Sequence, residues 1–128
     1  MEDHINIAIV GLGRVGTTFL KKLFDYRGRG ISIIAVTELN PDSPGLEFAI
    51  QKGISVVADK DDITAMGEKV DVIFNLTGDP SIERTMRLAQ VKGGNHKTVV
   101  GSTVMASLLW KLISEEALPQ HSNVDTNK

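Results

Sequence analysis

A doubly wound α/β domain built on one parallel sheet is the fold class this sequence predicts, and three observations predict it. Apolar, β-branched runs alternate with stretches of helical periodicity along the chain. A glycine-rich turn at Gly11, Gly13 and Gly16 joins the first such run to the first helical stretch, and clusters of Gly, Pro, Asn and Asp punctuate the rest. Strands separated by helices pair in parallel, and right-handed crossovers then give an open sheet of about five strands in the order 3-2-1-4-5. Its switch point falls between the first and fourth strands.

Ile5 to Gly16 reads INIAIVGLGRVG. The continuous apolar run fits a strand buried on both faces, and the GxGxxG spacing that follows is suited to a diphosphate. Gly11 permits the tight turn out of the strand, Gly13 lets a diphosphate approach the backbone, and Gly16 lets the next helix pack closely. The helix start, with Leu12, Arg14 and Val15 in the turn, points free N–H groups and a positive dipole end at an anion. A glycine-rich turn alone is weak evidence, but here a buried-strand pattern precedes it, a helical one follows it, and an acid, Glu38, stands 22 residues past Gly16.

Thr17 to Arg27 places Phe19, Leu20, Leu23 and Phe24 at helical spacing, and Ile31 to Val36 is the second strand, ending at Thr37-Glu38. Ser43 and Pro44 suit the start of a short helix over Leu46 to Lys52, with Gly53 as its stop. Ile54 to Val57 is the expected third strand, and Asp59 the expected cap of a weak helix from Lys60 to Met66. Val70 to Leu76 is the fourth strand, Ser81 to Lys92 a helix, Lys97 to Val100 the fifth strand and Thr103 to Glu116 the last helix. These elements, residues 1–117, make one domain; 118–128 is polar, aperiodic and expected to be a disordered tail.

The totals exclude several function classes. With 128 residues and 41% hydrophobic content there is room for one modest core and no second catalytic domain. Lys and Arg number 14 against 16 Asp and Glu, a net charge of -2, so no basic field draws nucleic acid or anionic lipid. The absence of cysteine removes disulfides, thiolate metal sites and thiol catalysis. The polar opening and the lack of a long apolar run make a soluble cytoplasmic protein the default, with no membrane partner.

Glu38 can accept hydrogen bonds from the adenosine ribose hydroxyls and repels a 2′-phosphate, which favours NAD over NADP; the alternative is a solvated loop acid. Arg14 can lie along the diphosphate or pair with a 2′-phosphate, or stand exposed. After the fourth strand, Thr77 and Gly78 are the better ligand contacts, because Asp79-Pro80 suits a helix cap. Ser102 is read as a cap for the last helix. His4, His96 and His121 lack metal-ligand spacing, and the run Asp59 to Asp62 is read as a solvated helix start, so no metal is assigned. The last helix carries apolar residues around much of its circumference, which suggests a homodimer or a partner protein there.

Taken in order, IAIVGLGRVG, IIAVTELN and VDVIFNLTGDP resemble the NAD(P)-binding, Rossmann-like domain of homoserine dehydrogenase and its relatives. The resemblance implies that Gly11, Gly13, Arg14 and Gly16 hold the diphosphate, Glu38 the ribose, and Thr77-Gly78 the nicotinamide side. Those dehydrogenases show an Asn-Lys pair after the fifth strand where this chain has Gly101-Ser102-Thr103, and their substrate domain is absent. TELNPDSPGLEFAIQKGI, FNLTGDP and SLLWKLISEE also resemble the Rossmann-like domains ahead of PAS and histidine-kinase modules in bacterial signalling proteins, which implies ligand sensing without catalysis. The expectation is therefore an NAD-binding module, sensory or regulatory. Its rivals are the cofactor-binding half of an oxidoreductase whose substrate domain is on another chain, and an interaction domain that has lost its nucleotide.

Overall fold

The computed structural model describes residues 4–114. Within them β1 (Ile5–Val10), α1 (Arg14–Asp25), β2 (Ile31–Thr37), α2 (Pro44–Gln51), α3 (Lys60–Thr64), β3 (Val72–Asn75), α4 (Pro80–Lys92), β4 (Val99–Gly101) and α5 (Thr103–Ile113) follow in chain order. The expected tail and the last turn of the expected helix to Glu116 lie outside the described residues. No described helix is long and apolar enough to cross a membrane.

The sheet has four parallel strands in the order β2-β1-β3-β4, not five. The expected third strand, Ile54 to Val57, is reduced to a single parallel bridge between Val36 and Val56. The Val36 N–H donates to Ser55 O and the Val57 N–H donates to Val36 O, both at 2.9 Å. Gly53, in the left-handed region at φ 76°, and the Asp59 cap of α3 bracket the segment, which pairs with β2 at that one position. The segment nonetheless lies on the outer edge of β2, where the expected order put it, and the other four strands keep that order.

β1 is the central rail. Its alternation sends Ile7 and Ile9 to one face and Ala8 and Val10 to the other, each nearly or wholly buried, which is why the run from Ile7 to Val10 is apolar without a break. On the first face α1, α2 and α5 pack Phe19, Leu20, Ala49 and Trp110 against Ile9 and Phe74. The Phe19 ring meets Phe74 edge-on at 5.0 Å and Trp110 at 6.5 Å, so this aromatic cluster joins α1 and α5 to the sheet. The second face carries Ile63 of α3 and Met86 of α4 against Ala8, Ile73 and Val100.

Candidate functional site

The C-terminal ends of β1, β2 and β3 open into a cleft of about 700 Å³, in the range of small-molecule sites and at the switch point of the sheet. Gly11, Gly13 and Arg14 line it from the turn, Thr37, Glu38 and Leu39 from the end of β2, and Thr77 and Asp79 from the end of β3. Asp59 and Lys60 close one side. No described side chain fills the cleft.

The glycine turn is held in place from beneath. The Gly11 N–H donates to Thr37 O at 2.9 Å, and the Leu12 carbonyl accepts from Thr17 Oγ1 at 2.9 Å and from buried Ser43 Oγ at 2.6 Å. The Leu12 N–H donates to Glu38 Oε1 at 2.5 Å, while Glu38 Oε2 accepts from the Asn40 N–H at 2.8 Å. Each carboxylate oxygen keeps acceptor capacity beyond these bonds, and the residue lines the cleft, so Glu38 both fixes the turn and presents acceptors to a ligand.

The three motif glycines serve different needs. A Cβ at Gly16 would lie 1.9 Å from the Gly11 carbonyl oxygen, so α1 can approach the turn only because residue 16 has none. Gly11 combines φ 99° with a would-be Cβ 2.8 Å from the Thr77 backbone nitrogen. At Gly13 a Cβ would meet nothing within 4 Å, and φ is an ordinary −75°. The fold makes no demand for glycine there, and the empty space opens on the N-terminus of α1. Ser43, Asp59, Asp79 and Ser102 cap α2, α3, α4 and α5 with side-chain oxygens, whereas α1 has no side-chain cap and no acid in its first turn. Its first N–H groups and dipole are left for an anion.

The end of β3 is occupied with its own structure. Buried Asn75 donates from Nδ2 to Asp79 O at 2.9 Å, and its Oδ1 accepts from Thr77 Oγ1 at 2.7 Å; Thr77 Oγ1 in turn accepts from the Asp79 N–H at 3.0 Å. Asp79 Oδ1 accepts from Ser81 Oγ at 2.7 Å and from the Ser81 N–H at 2.9 Å, and these bonds hold its carboxyl below the ordinary carboxylate value. A depressed folded pKa contributes stability that is complete above the unfolded value, 3.8, and is lost as pH falls through the lower folded value. The thermal midpoint of Asp79→Asn is therefore expected below that of wild type at neutral pH, with the gap closing below pH 3.8; parallel melts across the acid range read this.

Of the residues expected from the sequence, Gly11, Gly13, Arg14, Glu38 and Thr77 come together around the cleft. Leu12 and Val15 turn their side chains into the interior, Gly16 serves packing, and Gly78, in the left-handed region at φ 83°, sits outside the lining. Thr37, Leu39 and Lys60 were not anticipated. Thr37 adjoins Glu38, and Lys60 follows the segment placed beside β2, so the strand order held the signal for both. Thr37 is 3% exposed, lines the cleft, and its Oγ1 finds no hydrogen-bond partner among the described residues. Thr37→Val is expected to raise stability by about 1 kcal/mol, since an unpartnered buried hydroxyl is replaced by an isosteric methyl. Chemical denaturation checks it.

No family model matches the chain. An acetaldehyde dehydrogenase of Chloroflexus aurantiacus is 30% identical over 91 residues, which cover 71% of this chain and 30% of that protein. The chain thus spans about a third of the length of the curated relatives it matches. Among solved structures, the homoserine dehydrogenase of S. aureus superposes with a TM-score of 0.60 at 20% identity, over 88% of this chain and 31% of that one. RSP in complex with β-NADH superposes with a TM-score of 0.55 at 13% identity, over 85% of this chain and 60% of that one. At these identities the structural likeness is one of fold, and the chain has the α/β fold, with a parallel sheet, of Rossmann-like domains.

Proposed function

We propose that the chain is an NAD(H)-binding module that senses or regulates, without catalysis of its own. The observation that carries this reading is the vacant Cβ position of Gly13 at the uncapped start of α1, beside a turn that Glu38 holds. A diphosphate fits that place, and Glu38 can accept from the adenosine ribose hydroxyls. The NADH complex of RSP and the dehydrogenases named above support a nicotinamide dinucleotide as the ligand.

The noncatalytic part of the reading rests on how the cleft's acids are spent. Glu38 holds the turn, and Asp59 and Asp79 cap helices. No described histidine lines the cleft, and Asn75 and Thr77 are consumed by the β3 end, so no described group is free as a general acid or base at the nicotinamide side. Titration calorimetry with NAD, NADH, NADP and NADPH tests the whole. NADH and NAD are expected to bind at least about tenfold more tightly than their 2′-phosphorylated forms, because Glu38 repels the extra charge. Heat with none of the four would end the proposal.

A second reading is favoured by the length of the relatives. On this reading the chain is the cofactor-binding third of a dehydrogenase whose substrate domain is supplied by another chain. It predicts that a partner restores reduction of NAD with an aldehyde or alcohol substrate; the first reading predicts none.

A further inference from the structure

Ser43 lies outside the cleft lining, is 6% exposed, and makes two hydrogen bonds of different kinds. Its oxygen accepts from the Gly45 N–H at 3.1 Å, which caps α2, and its hydroxyl donates to Leu12 O at 2.6 Å. A cap needs only the first. Asp59, Asp79 and Ser102 cap their helices through acceptor bonds to nearby backbone N–H groups, whereas the Ser43 hydroxyl also reaches a different element, the glycine turn.

Leu12 is gripped on both sides. Its N–H donates to Glu38, and its carbonyl accepts from Ser43 and from Thr17 Oγ1. The segment from Glu38 to Ser43 therefore supplies a holder for each of the two peptide groups that Leu12 joins. The start of α2 comes this close because residue 45 is glycine: a Cβ there would lie 2.5 Å from Thr17 Oγ1 and 2.9 Å from the Leu12 Cβ.

The peptide between Leu12 and Gly13 is planar and trans, so its N–H points opposite to its C=O. With Leu12 O turned toward Ser43 and Thr17, the Gly13 N–H faces away from the α2 start, and Gly13 itself is exposed and lines the cleft. Gly13 holds the cap position of α1, which leaves this N–H outside the helix ladder. Glycine accepts either sign of φ, so the residue that clears room for a diphosphate is also the one about which this peptide turns over most readily. A flipped peptide would present the Leu12 carbonyl oxygen, the negative end of its dipole, in place of the N–H.

We infer that Ser43 is a positioning residue of the dinucleotide site: without touching the ligand, it fixes the plane of the Leu12–Gly13 peptide so that the Gly13 N–H donates to the diphosphate. Thr17 is the second donor of the same lock. The inference rests on the NAD(H) reading above and assigns to α2 a part in that site.

Titration of single variants of the full chain with NADH tests it. Ser43→Ala is expected to weaken binding about tenfold. Thr17→Val removes the other donor, keeps the side-chain shape and leaves the α2 cap intact; it is expected to weaken binding about threefold or more, and it carries the test alone if Ser43→Ala does not fold. Ser102→Ala removes the cap of α5 and is expected to change binding by less than about twofold, which separates the lock from a general loss of capping. In amide NMR spectra recorded without nucleotide, the Gly13 resonance is expected to move in Ser43→Ala and Thr17→Val and to stay in place in Ser102→Ala. A wild type that binds no NADH ends the nucleotide reading and this inference with it. A wild type that binds, with Ser43→Ala and Thr17→Val both within about twofold of its affinity, leaves the nucleotide reading standing and overturns the lock. A Gly13 resonance that neither variant moves overturns it too, as does a loss in Ser102→Ala equal to that in Ser43→Ala.

Discussion

Gly16→Ala is expected to destabilise the chain by about 3 kcal/mol or more, the upper range for forcing atoms into a filled space. The added methyl would stand 1.9 Å from the Gly11 carbonyl oxygen, and the obstacle is backbone, not the tip of a movable side chain. Relief requires α1 to back away from β1. That movement strips Phe19 and Leu20, both 0% exposed, from the sheet and pulls on the hydrogen bond from Thr17 Oγ1 to Leu12 O. Against a net stability of roughly 5–15 kcal/mol for a small domain, this is a large fraction. Urea denaturation followed by circular dichroism measures it; a loss under roughly 1 kcal/mol would contradict the packing role.

Gly13→Ala is expected to do the opposite: leave the fold within about 1 kcal/mol of wild type and weaken NADH binding at least roughly 100-fold. The backbone there is in an ordinary region and the new Cβ meets no protein atom within 4 Å, so folding has nothing to lose beyond a small change at the helix start. The same methyl occupies the space that a diphosphate needs to approach the first N–H groups of α1. Two glycines three residues apart in one motif thus separate the scaffold from the site. If the two substitutions changed stability and binding in parallel, the division of labour would be wrong.

Much of this arrangement is legible in the sequence, and the parts that are not share a physical cause. β1 and β2 announce themselves because their buried or half-buried stretches, Ile7 to Val10 and Ile33 to Val36, are continuous apolar runs. α1 begins at Arg14, ahead of the Thr17 start that periodicity indicates, because Gly13 occupies the cap position and the apolar repeat becomes visible only at Phe19. Ile54 to Val57 has strand composition, but composition does not state how many residues a ladder will pair; the Asp59 and Asp62 capping box ends the segment first. The spacing from Gly16 to Glu38 identifies an acid for the site. It does not reveal that the same carboxylate fixes the turn through the Leu12 and Asn40 N–H groups, because that depends on how two distant segments meet. The unpartnered hydroxyl of Thr37 and the approach of Lys60 are tertiary facts of the same kind. In α5 the apolar text gave a buried helix or a contact surface, and burial separates Ala106 and Trp110 from the helix's exposed side.

The most direct measurement is a crystal structure of the chain grown with NADH. The account predicts the diphosphate over Gly13 at the start of α1, the adenosine ribose hydroxyls on the Glu38 carboxylate, and the nicotinamide toward Thr77. A dinucleotide seated elsewhere, or a glycine turn without density for one at saturating NADH, would contradict it.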